Sequence, residues 1–314
     1  MNLAIFTPAL TTSAIGRATR LVVQSLTSQG HTVVVIRSED IPHLQNPTHD
    51  FGVQVINWND APEVKIAVQN ADMLVYQIGN NYQFHRGCME WLSVYSGIVC
   101  LHDFFLGHLF HEWANHRRSV AQIVLREWYG QETAENYFAI DGDFIERTQD
   151  TAPMTEWICS MALGVVTHSS WAIQRVLDSC PGPVHVIALP YDMPETDGAA
   201  PAEVNIGEKM TVLTIGHINP NKRAESVIRA IGQSPRLRES VSYQLVGLIE
   251  PAVKQDLANL AASLQVTLKI SGEVDDMALG TAIQSADVMC CLRLPALEAA
   301  SASQLNPCYA GRRQ

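Results

Sequence analysis

The chain has 314 residues, 47% of them hydrophobic and 17% charged, and a formal net charge of −11. That is enough chain for two ordinary domains, each with its own core. The acidic balance argues against free nucleic acid as a partner, because phosphate tracking needs a broad basic field, whereas a single nucleotide needs only a few local donors.

In chain order, residues 3–7 form a short apolar run and read as a strand. Residues 8–13 break it, 16–30 read as a helix ended by Gly30, and 32–36 are rich in β-branched residues, hence a second strand. Residues 73–77 and 98–101 read as buried parallel strands, and 104–137 as helix. Residues 165–167 and 184–188 repeat the strand pattern. Residues 190–204, rich in Pro, Ala, Gly, Asp and Glu and without periodicity, read as a linker. A second alternating series follows: strands at 212–215, 242–246, 266–270 and 287–292, with helices at 222–232, 250–264 and 277–285. Strand-helix alternation predicts parallel sheets with right-handed crossovers. The expected fold class is α/β, two Rossmann-like domains facing a cleft, at 1–192 and 205–314, the second incomplete.

The cysteines are seven and include no C-x-x-C pair, which points to a reducing compartment rather than a disulfide or zinc framework. No basic stretch followed by an apolar h-region opens the chain and no apolar run reaches spanning length, so the expected location is cytoplasmic. Phe104-Phe105-Leu106 and Arg117-Arg118 leave two readings open: contact with the inner face of a membrane, or a packed helix with a solvated end.

Ligands of such folds bind beyond the carboxyl ends of the strands. Gly216-His217-Ile218-Asn219-Pro220-Asn221-Lys222-Arg223 follows a strand and opens a helix. Gly216 permits a tight turn, the helix start offers amides to an anion, and Lys222 and Arg223 add positive charge, which suits a diphosphate; a capped helix start with two solvated bases is the plain alternative. Leu292-Arg293-Leu294-Pro295 leads into a small-residue stretch carrying Glu298, a carboxylate suited to sugar hydroxyls or simply to a helix start. In the first half, the loop carrying Gly16, the Gly79-Asn80-Asn81 turn with His85 downstream, His102-Asp103 and His168-Ser169-Ser170 all follow strands, so polar groups recur at edges expected to converge. His108 and His111 stand at i, i+3 and read as a helix face; no metal site is expected. Neither a P-loop nor a G-x-G-x-x-G fingerprint occurs, which counts against a nicotinamide-dependent oxidoreductase.

Together these segments resemble glycosyltransferase family 4, retaining enzymes of the GT-B fold. The first-domain landmarks are Tyr76-Gln77-Ile78-Gly79-Asn80-Asn81 with His85, Gly97-Ile98-Val99-Cys100-Leu101-His102-Asp103, and Gly164-Val165-Val166-Thr167-His168-Ser169; Gly216 to Arg223 is similar to the family's phosphate loop, with His217 where many members carry arginine. The resemblance implies a nucleoside diphosphate sugar as donor substrate, a carbohydrate or lipid-linked acceptor, transfer with retention, and no obligatory metal or cofactor. It implies catalytic roles for His102 and Glu298, nucleotide contacts from Gly16, Gly216, Lys222 and Arg223, and substrate contacts from Asn80, Asp103 and His168. The chain departs from the family's paired glutamates: the partner of Glu298 falls at Asn306, next to Pro307. Codons from Gln304 onward, read from the third base of the Gln304 codon, permit Ile-Glu-Ser-Met-Leu-Cys-Gly-Lys, which puts a glutamate at position 306. The tail is therefore expected to be a frameshift product, with low stability, self-association through the incomplete second domain and weak or absent transfer. A binding module that keeps the nucleotide or sugar site without turnover is the alternative function.

Overall fold

The computed structural model describes residues 1–139, 144–192 and 209–294. The chain divides into two compact units, with the boundary after Pro190.

The first unit holds seven strands, β1 (Asn2–Thr7), β2 (Thr32–Arg37), β3 (Val55–Asn57), β4 (Met73–Ile78), β5 (Ile98–Leu101), β6 (Gly164–Thr167) and β7 (Val184–Val186). They form one sheet in the order β3-β2-β1-β4-β5-β6-β7, and every pairing is parallel. The order reverses between β1 and β4, which marks the crevice where ligands of such sheets collect. The central strands are apolar on both sides because helices cover both faces: Phe6 and Tyr76 are fully buried and stack at 4.6 Å between ring centroids.

The helices begin where the side chains supply caps. Helix α1 (Ala14–Ser28) starts at Ser13, whose Oγ accepts the Gly16 N–H. Asp60 and Asn81 do the same for α2 (Ala61–Asn70) and α3 (Tyr82–Leu92). The single helix expected over 104–137 is instead α4 (Gly107–Trp113), a 3-10 turn at Ala114–His116, α5 (Arg118–Tyr129) and α6 (Gln131–Asn136). Arg117 leaves the helical region, and Gly130, at φ +86°, ends α5. Phe104, Phe105 and Leu106 are core residues and Arg117 pairs with Glu90, so these side chains pack within the unit. Helices α7 (Phe144–Thr148), α8 (Thr155–Ser160) and α9 (Ile173–Ser179) complete the unit. No helix among the described residues is long and apolar enough to cross a membrane.

The second unit holds β8 (Met210–Ile215), β9 (Val241–Val246), β10 (Thr267–Gly272) and β11 (Val288–Met289), parallel throughout in the order β10-β9-β8-β11. Its helices are α10 (Ala224–Gln233), α11 (Pro235–Ser240), α12 (Pro251–Ser263) and α13 (Asp276–Ser285). One buried cluster lies between the sheet and α10 with α12, around Ile228 and Tyr243; a second lies under α13, around Leu213 and Ile283. The expected helix at 222–232 starts two residues later, because Arg223 takes a left-handed backbone, φ +54°, and closes a 3-10 turn at Pro220–Lys222. The strand expected at 287–292 is confined to Val288–Met289. Glu298 and the tail from 295 onward lie outside the described residues, as does most of the stretch read as a linker.

Candidate sites at the carboxyl edges of the sheets

At the carboxyl edge of the first sheet the hub is Gln77, 5% exposed on β4. Its backbone carbonyl accepts the His85 Nδ1–H at 2.9 Å, and its Oε1 accepts the His102 Nε2–H at 2.6 Å. His85 in turn accepts the Gly79 N–H on Nε2 at 3.1 Å. One imidazole thus grips the chain on both sides of Ile78. It does so only as the neutral ring, and burial, which outweighs the opposing Gln77 carbonyl, pushes its pKa down to about 4. The grip requires α3 to deviate from helical geometry at His85, φ −118° and ψ 16°.

The turn that His85 holds has no room for a side chain: a Cβ on Gly79 would stand 2.9 Å from Asp103 Oδ2 and 3.0 Å from His85 Nε2. Asn80 follows. Its N–H donates to Asp103 Oδ2 at 2.7 Å, while its side-chain oxygen accepts the N–H groups of His108 and Leu109 at 2.9 and 3.2 Å. Asn80 therefore caps α4 from another loop, and Asp103 anchors the Asn80 turn. Gly16 lies in the first turn of α1, where a Cβ would come within 2.6 Å of the Pro8 carbonyl oxygen. Its amide is taken by Ser13, so its place in the structure is close packing of α1 against the loop after β1. That loop is itself fixed by Glu39, fully buried, whose Oε1 accepts the N–H groups of Ala9 and Leu10 while Arg37 Nε lies 3.5 Å from its Oε2.

His102 and His168 end adjacent strands, β5 and β6, with ring centroids 4.8 Å apart. Burial first, then His168 and His85, hold His102 well below the ordinary histidine pKa; burial lowers His168 as well, against its bond to the Ile187 carbonyl. The shifts favour the neutral form of both rings.

In the second unit Gly216 follows β8 at φ +95°, and Lys222, 4% exposed, brings its Nζ to 3.4 Å from the position of a Gly216 Cβ. Arg223 is exposed beside it. Two more glycines end the neighbouring strands, Gly247 after β9 at φ +133° and Gly272 closing β10 at φ +75°. Gly247 donates to the Gly272 carbonyl at 2.7 Å, and Gly216 to the Val246 carbonyl at 2.9 Å. Three adjacent strand ends therefore form a ledge without side chains next to a buried lysine. The order of this sheet reverses between β8 and β11, so the ledge adjoins its switch point. On the β11 side, the Leu294 N–H bonds to the Asn221 carbonyl. Sequence reasoning singled out Gly216 and Lys222 and passed over Gly247 and Gly272, though each follows a β-rich run. Among the described residues no cluster of histidine, cysteine and acidic side chains is arranged to hold a metal ion.

The architecture is the two-unit α/β fold found in nucleotide-sugar glycosyltransferases. The chain is similar in structure to the catalytic domain of starch synthase IV from Arabidopsis thaliana bound to ADP and acarbose, with TM-score 0.59 and 11% identity over 99% of this chain and 81% of that one. It is similar to WaaG, a glycosyltransferase involved in lipopolysaccharide biosynthesis, with TM-score 0.54 and 14% identity over 99% and 80%. Anabaena Alr3699/HepE in complex with UDP and glucose gives TM-score 0.53 and 13% identity over 92% and 73%. No protein-family model matches the chain, and no curated protein matches it by sequence.

Proposed function

We propose that this protein is a glycosyltransferase that takes a sugar from a nucleoside diphosphate sugar and passes it, with retention, to a hydroxyl-bearing acceptor. The observation that carries the reading is the buried Lys222 ammonium set against Gly216 at the carboxyl edge of β8. A glycine ledge lets a diphosphate approach the backbone closely, and a cation held there stabilises the negative charge that grows as the sugar-phosphate bond breaks. Arg223 adds charge at the exposed rim. In the first unit His102 and Asp103 belong to the reacting side, while Asn80 and Gly16 position its loops. Glu298 completes the donor-sugar contacts in this reading. The structural neighbours, among them proteins bound to UDP with glucose and to ADP, support this reading.

The test is titration of the full chain with UDP-glucose and ADP-glucose. A hydrogen bond to a charged group contributes about 1.5–3 kcal/mol, so Lys222→Ala is expected to weaken the better donor by roughly 10–100-fold, with Lys222→Arg intermediate. Equal affinity in wild type and Lys222→Ala, or no binding of any nucleoside diphosphate sugar, overturns the proposal. Binding without turnover identifies the binding-module alternative.

A further inference from the structure

The polarity of the His102–His168 pair has a consequence for the ligand it meets. His168 Nδ1 donates to the Ile187 carbonyl at 2.9 Å, which fixes the tautomer and leaves Nε2 as a bare lone pair. That Nε2 is buried and has no hydrogen-bond partner. Buried polar atoms in native proteins are almost always satisfied, so an orphan acceptor at a strand end calls for a donor. His102 is in the matching state. Gln77 Oε1 can only accept, so His102 Nε2 carries the proton and Nδ1 of the neutral ring is an acceptor. The second nitrogen of each ring, His168 Nε2 and His102 Nδ1, is therefore an acceptor.

We propose that His168, paired with His102, is a specificity-determining acceptor site for neutral hydroxyl groups of the acceptor sugar, and that it discriminates against anionic ligands. A hydroxyl brings the proton that Nε2 lacks. A carboxylate or phosphate brings only further lone pairs, and meets repulsion with no compensating donor. His168 is a positioning residue for the incoming sugar. This inference rests on the glycosyl-transfer reading for its ligand class, but it concerns only the first unit.

Nitrogen NMR of the imidazole side chains tests it in two stages on the full chain. In the free wild-type protein at pH 7, His168 is expected to be neutral with its proton on Nδ1; a cationic ring or an Nε2–H tautomer overturns the proposal without any variant. In the second stage, in saturating UDP, the protein is titrated with glucose, galactose, mannose and N-acetylglucosamine, and with glucose 6-phosphate and glucuronate. At least one neutral sugar is expected to shift the His168 Nε2 resonance saturably, with the anionic sugars at least about tenfold weaker. His168→Phe is expected to lose about tenfold in that affinity and His168→Gln, which restores an acceptor oxygen, to recover part of it. No shift by any neutral sugar, or anionic sugars binding as tightly as neutral ones, refutes it. The separate Lys222→Ala titration reports on the donor, so failure here and failure of the transfer reading are told apart.

Discussion

Gly247→Ala is the sharpest available test of the glycine ledge. At φ +133° the backbone is in a region that residues with a Cβ scarcely enter, and strain of that kind costs about 1–3 kcal/mol. The Cβ would also stand 2.1 Å from the Gly216 carbonyl oxygen, a backbone atom that cannot swing aside. Overpacking adds about 1–3 kcal/mol, so the sum is roughly 2–6 kcal/mol and about 4 kcal/mol at its centre. Gly272→Ala is the control. Its φ is +75° but its Cβ meets nothing within 4 Å, so strain alone remains, about 1–2 kcal/mol. In a unit of this size each kcal/mol moves the melting temperature by about 4–8 °C. Calorimetry is expected to show the second unit melting about 15 °C or more lower in Gly247→Ala, against about 5–10 °C in Gly272→Ala. Nucleoside diphosphate affinity is expected to fall in Gly247→Ala, because relief of the clash moves Gly216 away from Lys222. Equal melting of the two variants, or wild-type nucleotide affinity in Gly247→Ala, refutes the ledge argument.

Two other outcomes are expected. His85 binds its proton in the unfolded chain near pH 6.5 and in the folded chain only near pH 4, so its neutral form favours folding above pH 6.5 and that contribution disappears as pH falls toward 4. Urea unfolding at pH 7 and pH 4 is expected to show wild type losing about 3 kcal/mol more than His85→Gln over that interval; equal losses dismiss the assignment. Glu39→Ala strands the buried Arg37 and two amides of the loop after β1, and is expected to cost about 3–5 kcal/mol in chemical denaturation, with a loss under 1 kcal/mol counting against a buried pair.

The strands were legible because burial on both faces demands unbroken apolar runs, and residues 3–7, 73–77 and 98–101 carry them without interruption. β3, only three residues long, gives no such signal, and α3 hides its period behind the kink at His85. The run from 104 to 137 misled for the opposite reason: its aromatics fill one core, but the break at Arg117 depends on how α4 and α5 pack, which composition does not record.

The sequence by itself determined the alternation of strand and helix, and with it parallel sheets and the placing of Gly216, Lys222, His102 and His168 just beyond strand ends. Those facts follow from local periodicity and chirality, which each segment carries alone. Only the tertiary structure decided which strand ends became neighbours. That choice turned Asn80 into a cap for α4, set Gly247 against Gly216, and gave His102 and His168 their protonation states. Hydrogen-bond partners and burial arise between segments far apart in the chain, so no window of sequence contains them.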